Sequence, residues 1–223
     1  MSDEHQKPHK VFRNHHLSLT IILILNEDQV PRIRGLLVSD CFVRVQFGCT
    51  IRQLLCDQFF MNPEYVEKEI TVVFLNFQPV DDIDNARIKD GSILALSAGM
   101  PGLVGAAMRK DGLACMRSGI TYRELGSHAM HGDGIIQLKL FNRVMADWGG
   151  HVLTRGVYLK RAILAEYLAA LPEEFWQGCK HIMLKGERVS KGALLDTLWS
   201  TEGWVYLTIN VDQEETPHEV LQT

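Results

Sequence analysis

Apolar and polar positions alternate in distinct ways along the chain and divide it into elements before any motif is considered. Leu17 to Leu25 is an apolar run and reads as a first strand, followed by a polar loop holding Asn26-Glu27-Asp28 and Pro31. From Phe42 to Phe47, Val43 and Val45 alternate with Arg44 and Gln46, which predicts a second, half-buried strand. Gly48 breaks it. Thr50 can then cap a helix whose Ile51, Leu54, Leu55 and Phe59 share one face, with Asn62-Pro63 closing it. Val72 to Leu75 is a short strand running into the turn residues Asn76, Gln78 and Pro79, and Lys89-Asp90-Gly91 turns the chain into a buried strand at Ile93 to Leu96.

The second half reads on a similar plan. Ile135 to Met145 predicts a long strand with Gln137, Lys139 and Asn142 interleaved, and Trp148-Gly149-Gly150 predicts a turn into a short strand at His151 to Thr154. Val157 to Leu171 predicts a helix with Ile163, Leu164, Tyr167 and Leu168 on its apolar face, closed by Pro172. Ile182 to Leu184 is the next strand, Lys185 to Val189 its turn, and Trp204 to Ile209 the final strand. Sliding residues 51–80 onto 160–189 without a gap pairs Arg52 with Arg161, Leu55 with Leu164, Pro63 with Pro172, Glu64 with Glu173, Leu75 with Leu184 and Val80 with Val189. Such self-similarity points to a tandem repeat.

The stretch from Val72 to Leu96, strand, turn, short wandering segment, Asp90-Gly91, strand, resembles the last part of a β-grasp (ubiquitin-like) domain, and of ThiS and MoaD-type sulfur carriers in particular. The resemblance implies an α+β fold of two β-grasp-like units, each a mixed sheet crossed by one helix, joined by a Gly/Ala-rich insert. The expected division is a His-rich arm at residues 1–16, units at 17–99 and 134–211, the insert at 100–133 and a tail at 212–223.

Composition narrows the classes. With 223 residues and 46% hydrophobic content the chain can bury a real core. A net charge of −4 argues against a dedicated nucleic-acid binder, which needs a concentrated basic face. No run approaches the ~20 apolar residues of a membrane helix. The first sixteen residues lack the apolar stretch of a signal peptide, so a cytoplasmic protein with no membrane partner is expected. Cys41, Cys49, Cys56, Cys115 and Cys179 are odd in number and form no C-x-x-C pair, so they read as free thiols rather than cluster or zinc ligands.

Two places carry candidate chemistry. Around the insert, Gly99-Met100-Pro101-Gly102 precedes a small-residue helix ending near Arg109-Lys110, and Asp111-Gly112 stops it. Backbone N–H groups at Gly99 and Gly102, with Arg109 and Arg117 adding charge, could hold an anionic ligand; alternatively the small residues let the segment pack closely against the sheets or a second subunit. His128, His131 and Asp133 form a candidate metal set, set against the competing reading of solvated loop histidines. No cofactor is indicated.

Three functions compete. The first is a non-catalytic binding or assembly module, self-associating or bound to another protein through its sheet faces and edges. The second is a small-molecule or anion-binding sensor or enzyme with its site at the insert. The third, implied by the resemblance, is a diverged sulfur carrier; those carriers act through a C-terminal Gly-Gly, whereas this sequence ends Glu219-Val220-Leu221-Gln222-Thr223.

Overall fold

The structure, a computed structural model, describes residues 19–99, 102–110, 119–124, 130–200 and 202–212. It opens with β1 (Leu19–Leu25), a 3-10 turn at Glu27–Gln29, α1 (Val30–Ile33), a further 3-10 stretch at Arg34–Val38 and β2 (Phe42–Phe47). The first half continues through α2 (Ile51–Gln53), which runs on as a π turn over Leu54–Gln58, then α3 (Pro63–Lys68), β3 (Val72–Leu75), β4 (Gln78–Pro79) and β5 (Ile93–Ser97). After α4 (Gly102–Met108) come β6 (Gly132–Phe141), α5 (Asn142–Arg155), β7 (Val157–Lys160), α6 (Arg161–Ala169) and α7 (Glu173–Gln177). The chain closes with β8 (Cys179–Leu184), β9 (Glu187–Arg188), α8 (Lys191–Ser200) and β10 (Trp204–Val211).

Among the described residues, ten strands form one mixed sheet in the order β4-β3-β5-β6-β2-β7-β10-β1-β8-β9. Read from either outer edge inward, each half has the same plan: a hairpin, two parallel central strands and an inner strand. The parallel pairs are β5 with β6 and β1 with β10, and the other neighbours are antiparallel. A single residue pair, Phe42 with Tyr158, joins the halves through β2 and β7. One core serves both: Leu23, Val43, Ile136 and Val205 from the strands and Leu54, Leu153, Leu164 and Leu198 from the helical segments belong to one buried cluster. All the helical segments that contribute to it pack on one face of the sheet. The opposite face keeps Ile22, Ile24, Phe42 and Trp204 only half-buried.

Under the pairing of residues 51–80 with 160–189, α3 falls on α7, β3 on the end of β8, and β4 on β9. Even the hairpin turns agree, because Asn76-Phe77 and Lys185-Gly186 all take positive φ, the conformation that matches strand twist in a two-residue turn. At the start of α2, Thr50 makes a reciprocal capping box with Gln53, as its position suggested.

Four sequence expectations are corrected. First, β6 ends at Phe141, and the expected strand to Met145, turn at Trp148–Gly150 and strand at His151–Thr154 are replaced by α5. The glycines there serve close packing rather than a turn: a Cβ on Gly149 would lie 3.2 Å from Leu37 Cδ1, and one on Gly150 2.9 Å from Val30 Cγ1. Second, the helix expected from Val157 begins at Arg161, because Val157, Tyr158 and Leu159 are buried on both faces of β7. Third, α8 was not foreseen; Leu194 and Leu198, one helical turn apart, bury it against the core. Fourth, β1 sits between β10 and β8 rather than among the strands of the first half. Its apolar residues on both faces suit a central place.

The insert follows the outer hairpin, with Lys110 N–H donating to Thr71 O and Tyr122 N–H to Pro79 O. The expected stop at Asp111-Gly112 lies outside the described residues. Among those described, no helix is long and apolar enough to cross a membrane.

Leu23, fully buried in β1, is a test of the shared core. Leu23→Ala is expected to cost about 2–5 kcal/mol in urea unfolding, and Thr50→Ala about 1 kcal/mol through its lost cap. A single transition in both far-UV circular dichroism and tryptophan fluorescence would accompany each loss.

Candidate functional site

The narrowest join in the sheet is also where its strands part. From the bridge at Phe42 and Tyr158, β2 runs on through Arg44 and Gln46 while the antiparallel β7 runs back to Gly156, with no further pairing between them. A pocket of about 420 Å³ opens in this wedge, lined by residues of both halves: Arg44, Val45, Gln46, Gln58, Phe60 and Asp133 on one side, Arg155, Gly156 and Tyr206 on the other. Its volume is that of a small-ligand site. Beside it, on the face opposite the core cluster, Phe42 meets Trp204 edge-on at 5.4 Å, and Tyr158 and Tyr206 lie 4.7 Å apart. Burial pushes the Tyr158 hydroxyl above the ordinary phenol range, Arg44 opposing the shift and Tyr206 adding to it.

Local chemistry holds the wedge open. The side-chain amide of Gln58 stands in for a missing strand, accepting from Gln46 N–H at 2.9 Å and donating to Gln46 O at 2.8 Å. Arg155, at the C-terminal end of α5, donates from Nη1 to Gln58 O at 2.7 Å, and its guanidinium lies 5.2 Å from the Phe59 ring centroid. Both contacts fix its direction, yet among the described residues no carboxylate pairs with it. Gly156 has φ of 99°, and a Cβ there would lie 2.2 Å from Tyr206 Oη; that hydroxyl donates to Arg155 O at 3.0 Å. Only glycine permits this approach. Phe60 has φ of 58° and is 77% exposed, an unusual conformation and exposure for a bulky side chain.

A larger cleft of about 1050 Å³ lies at the carboxyl ends of the parallel strands β1 and β10, with Glu27, Asp28, Asp147, His151 and Asp212 in its lining. The indole of Trp148, on α5, stands 4.9 Å from His151 and 5.8 Å from Tyr65, whose hydroxyl donates to Asp147 Oδ2. This lining is acidic.

The residues singled out in the sequence do not converge. The Gly99 carbonyl accepts from Asn142 Nδ2 at 2.7 Å and from Ser97 Oγ at 2.9 Å, and its N–H donates to Ser97 Oγ at 3.2 Å, so its backbone groups are already engaged. Gly102 is exposed at the first residue of α4 with φ of 74°, and Arg109 is exposed just beyond that helix. Arg117 and His128 lie outside the described residues. His131 is exposed on the approach to β6, its ring against Gly48. Asp133 lines the seam pocket together with Arg44 and Arg155. No three His, Cys, Asp or Glu side chains among the described residues are disposed to hold a metal ion. Arg44, Gln58, Phe60, Arg155 and Tyr206 were not singled out; Gly156 directly after a helix ending in Arg155 was their one local signal.

Cys41, Cys49, Cys56 and Cys179 are free thiols, and Cys115 lies outside the described residues. Burial pushes Cys41 up to about 12 and Cys179 up to about 11, and it raises Cys49 and Cys56 as well. A raised thiol stays protonated near neutrality and is a poor nucleophile. Iodoacetamide at pH 8 should therefore modify the native protein slowly, with Cys41 labelled only after denaturation; peptide mapping that found Cys41 alkylated as fast as free cysteine would contradict this. Comparison with protein-family models, with curated proteins and with solved structures found no match.

Proposed function

We propose that this chain is a non-catalytic binding module in which two β-grasp-like halves meet edge to edge and the seam between them receives a small ligand. The plan of each half supports the β-grasp reading: a central parallel pair, an outer hairpin, and a helical segment leading from the inner strand to that hairpin. The observation that carries the functional reading is the wedge itself. Strands β2 and β7 touch at one residue pair and then part, and the pocket between them draws its lining from both halves. Ligand sites favour such junctions, where neither half alone supplies a full set of contacts. The binding site thus moves from the insert, where Gly99 is engaged by Ser97 and Asn142, to the seam.

A second reading, assembly, is supported by the sheet face opposite the core cluster, where Ile22 and Ile24 of β1 stay half-buried. Its occupant would be a second copy of the chain.

Native mass spectrometry of protein purified without added ligands, followed by the same sample denatured, separates the two. The seam reading expects a retained mass that is lost on denaturation and absent from Gln46→Trp, which fills the pocket from an exposed position. A bare-chain mass in a dimer would favour assembly instead. Retention of the same mass by Gln46→Trp with an unchanged melting temperature would overturn the seam as the site.

A further inference from the structure

The charges and surfaces of the seam pocket differ along its length, and they restrict what can fill it. Two guanidinium groups, Arg44 and Arg155, and one carboxylate, Asp133, line it. Arg155 spends one of a guanidinium's five N–H groups on Gln58 O, and no acidic side chain among the described residues takes up the others. Ion pairs satisfy several other arginines of the chain: Arg52 holds both Glu67 and Asp84, and Arg143 holds Glu69 and Asp147. Arg155 is held instead by an aromatic ring and a carbonyl, which orient it without neutralising it. A guanidinium fixed in this way presents a planar fork that fits a carboxylate or phosphate oxygen pair.

Phe60 lines the same pocket. It keeps a left-handed backbone conformation that costs a bulky residue roughly 1–2 kcal/mol, where glycine or asparagine would ordinarily end a helix. Its ring is not hidden in the core, since 77% of it is exposed at the pocket rim. Two of the other polar groups are engaged: the Gln58 amide is spent on the Gln46 backbone, and the Tyr206 hydroxyl donates its proton to Arg155 O. What the pocket still offers is a cationic end and a flat apolar wall.

We infer that the seam pocket takes a small, flat organic oxyanion, its charge on the guanidinium of Arg155 and its ring or planar body against Phe60. This rests on the seam being the binding site and adds the chemical class of the ligand. Asp133, in the same lining, opposes that charge. The class includes aromatic carboxylates and planar phosphate esters, which share the oxyanion and the flat body.

The test uses the full chain and three probes, benzoate, its neutral counterpart benzamide, and inorganic phosphate, each titrated into 15N-labelled protein and followed at the amides of Gln46, Gly156 and Tyr206. Benzoate is expected to shift these amides and to bind at least tenfold more tightly than benzamide. Arg155→Gln should abolish that preference. Phe60→Ala should weaken benzoate several-fold while leaving phosphate unchanged, a split that general loosening of the fold would not produce. Asp133→Asn should tighten benzoate about twofold by removing a like charge at the site. Equal binding of benzoate and benzamide at the same amides would overturn the oxyanion assignment and leave the seam as a site. Shifts that spare these amides for all three probes would overturn both.

Discussion

Seven consecutive residue pairs between β1 and β10, from Leu19 with Val205 to Leu25 with Val211, hold the architecture together. Parallel strands cannot be joined by a short turn, so this pairing links segments from near opposite ends of the chain. It also supplies the second half with a strand that its own run of sequence does not contain. Leu19, Ile21, Leu23 and Leu25 point into the core, and Val205, Leu207 and Ile209 lie beside them. In the first half β6, from later in the chain, takes the place between β5 and β2 that β10 takes between β1 and β7. The seam follows from that arrangement, since β2 and β7 are left as the inner strands that must meet.

Much of the local structure was legible because its causes are local. The cap at Thr50, the break at Gly48, the turn at Asn76-Phe77 and the matching turn at Lys185-Gly186 depend on a few adjacent residues. The repeat was legible for the same reason, its elements lying at constant spacing. Where the reading failed, distant contacts decided the outcome. Trp148-Gly149-Gly150 has the composition of a turn, yet Leu37 and Val30, more than a hundred residues earlier, approach those glycines so closely that a helix without side chains there is what fits. Val157 to Leu159 could have opened a helix, but burial on both faces within the sheet made them a strand.

The site was far less legible than the fold. Arg44 reads as the polar half of an alternating strand, Phe60 as one more apolar residue before the helix's close at Asn62-Pro63, and Arg155 falls between an expected strand ending at Thr154 and an expected helix from Val157. None is unusual beside its sequence neighbours. They line one pocket only because the seam brings residues 44, 60 and 155 to one wedge. Asp133 was named for a metal set and stands instead beside the arginines, its neighbours fixed by the register of β6 against β2 rather than by the spacing to His131. Local motif reading favours loops with glycines and histidines. In this chain the cavity is made by strands that fail to pair.

The position of β1 has a consequence for how the chain is made. As a ribosome extends the polypeptide, β1 emerges early, whereas β8 and β10, the strands that flank it, emerge some 160 to 190 residues later. At synthesis rates of about 5–20 residues per second, the strand spends on the order of ten seconds or more with both of its apolar faces and both of its edges uncovered. The first half is already complete in sequence up to β5 by then, but it also lacks β6. Neither half can close before the other has begun to form, so productive folding is a late event that involves the whole chain. The finished sheet therefore depends on β1 staying available until β8 and β10 have been made.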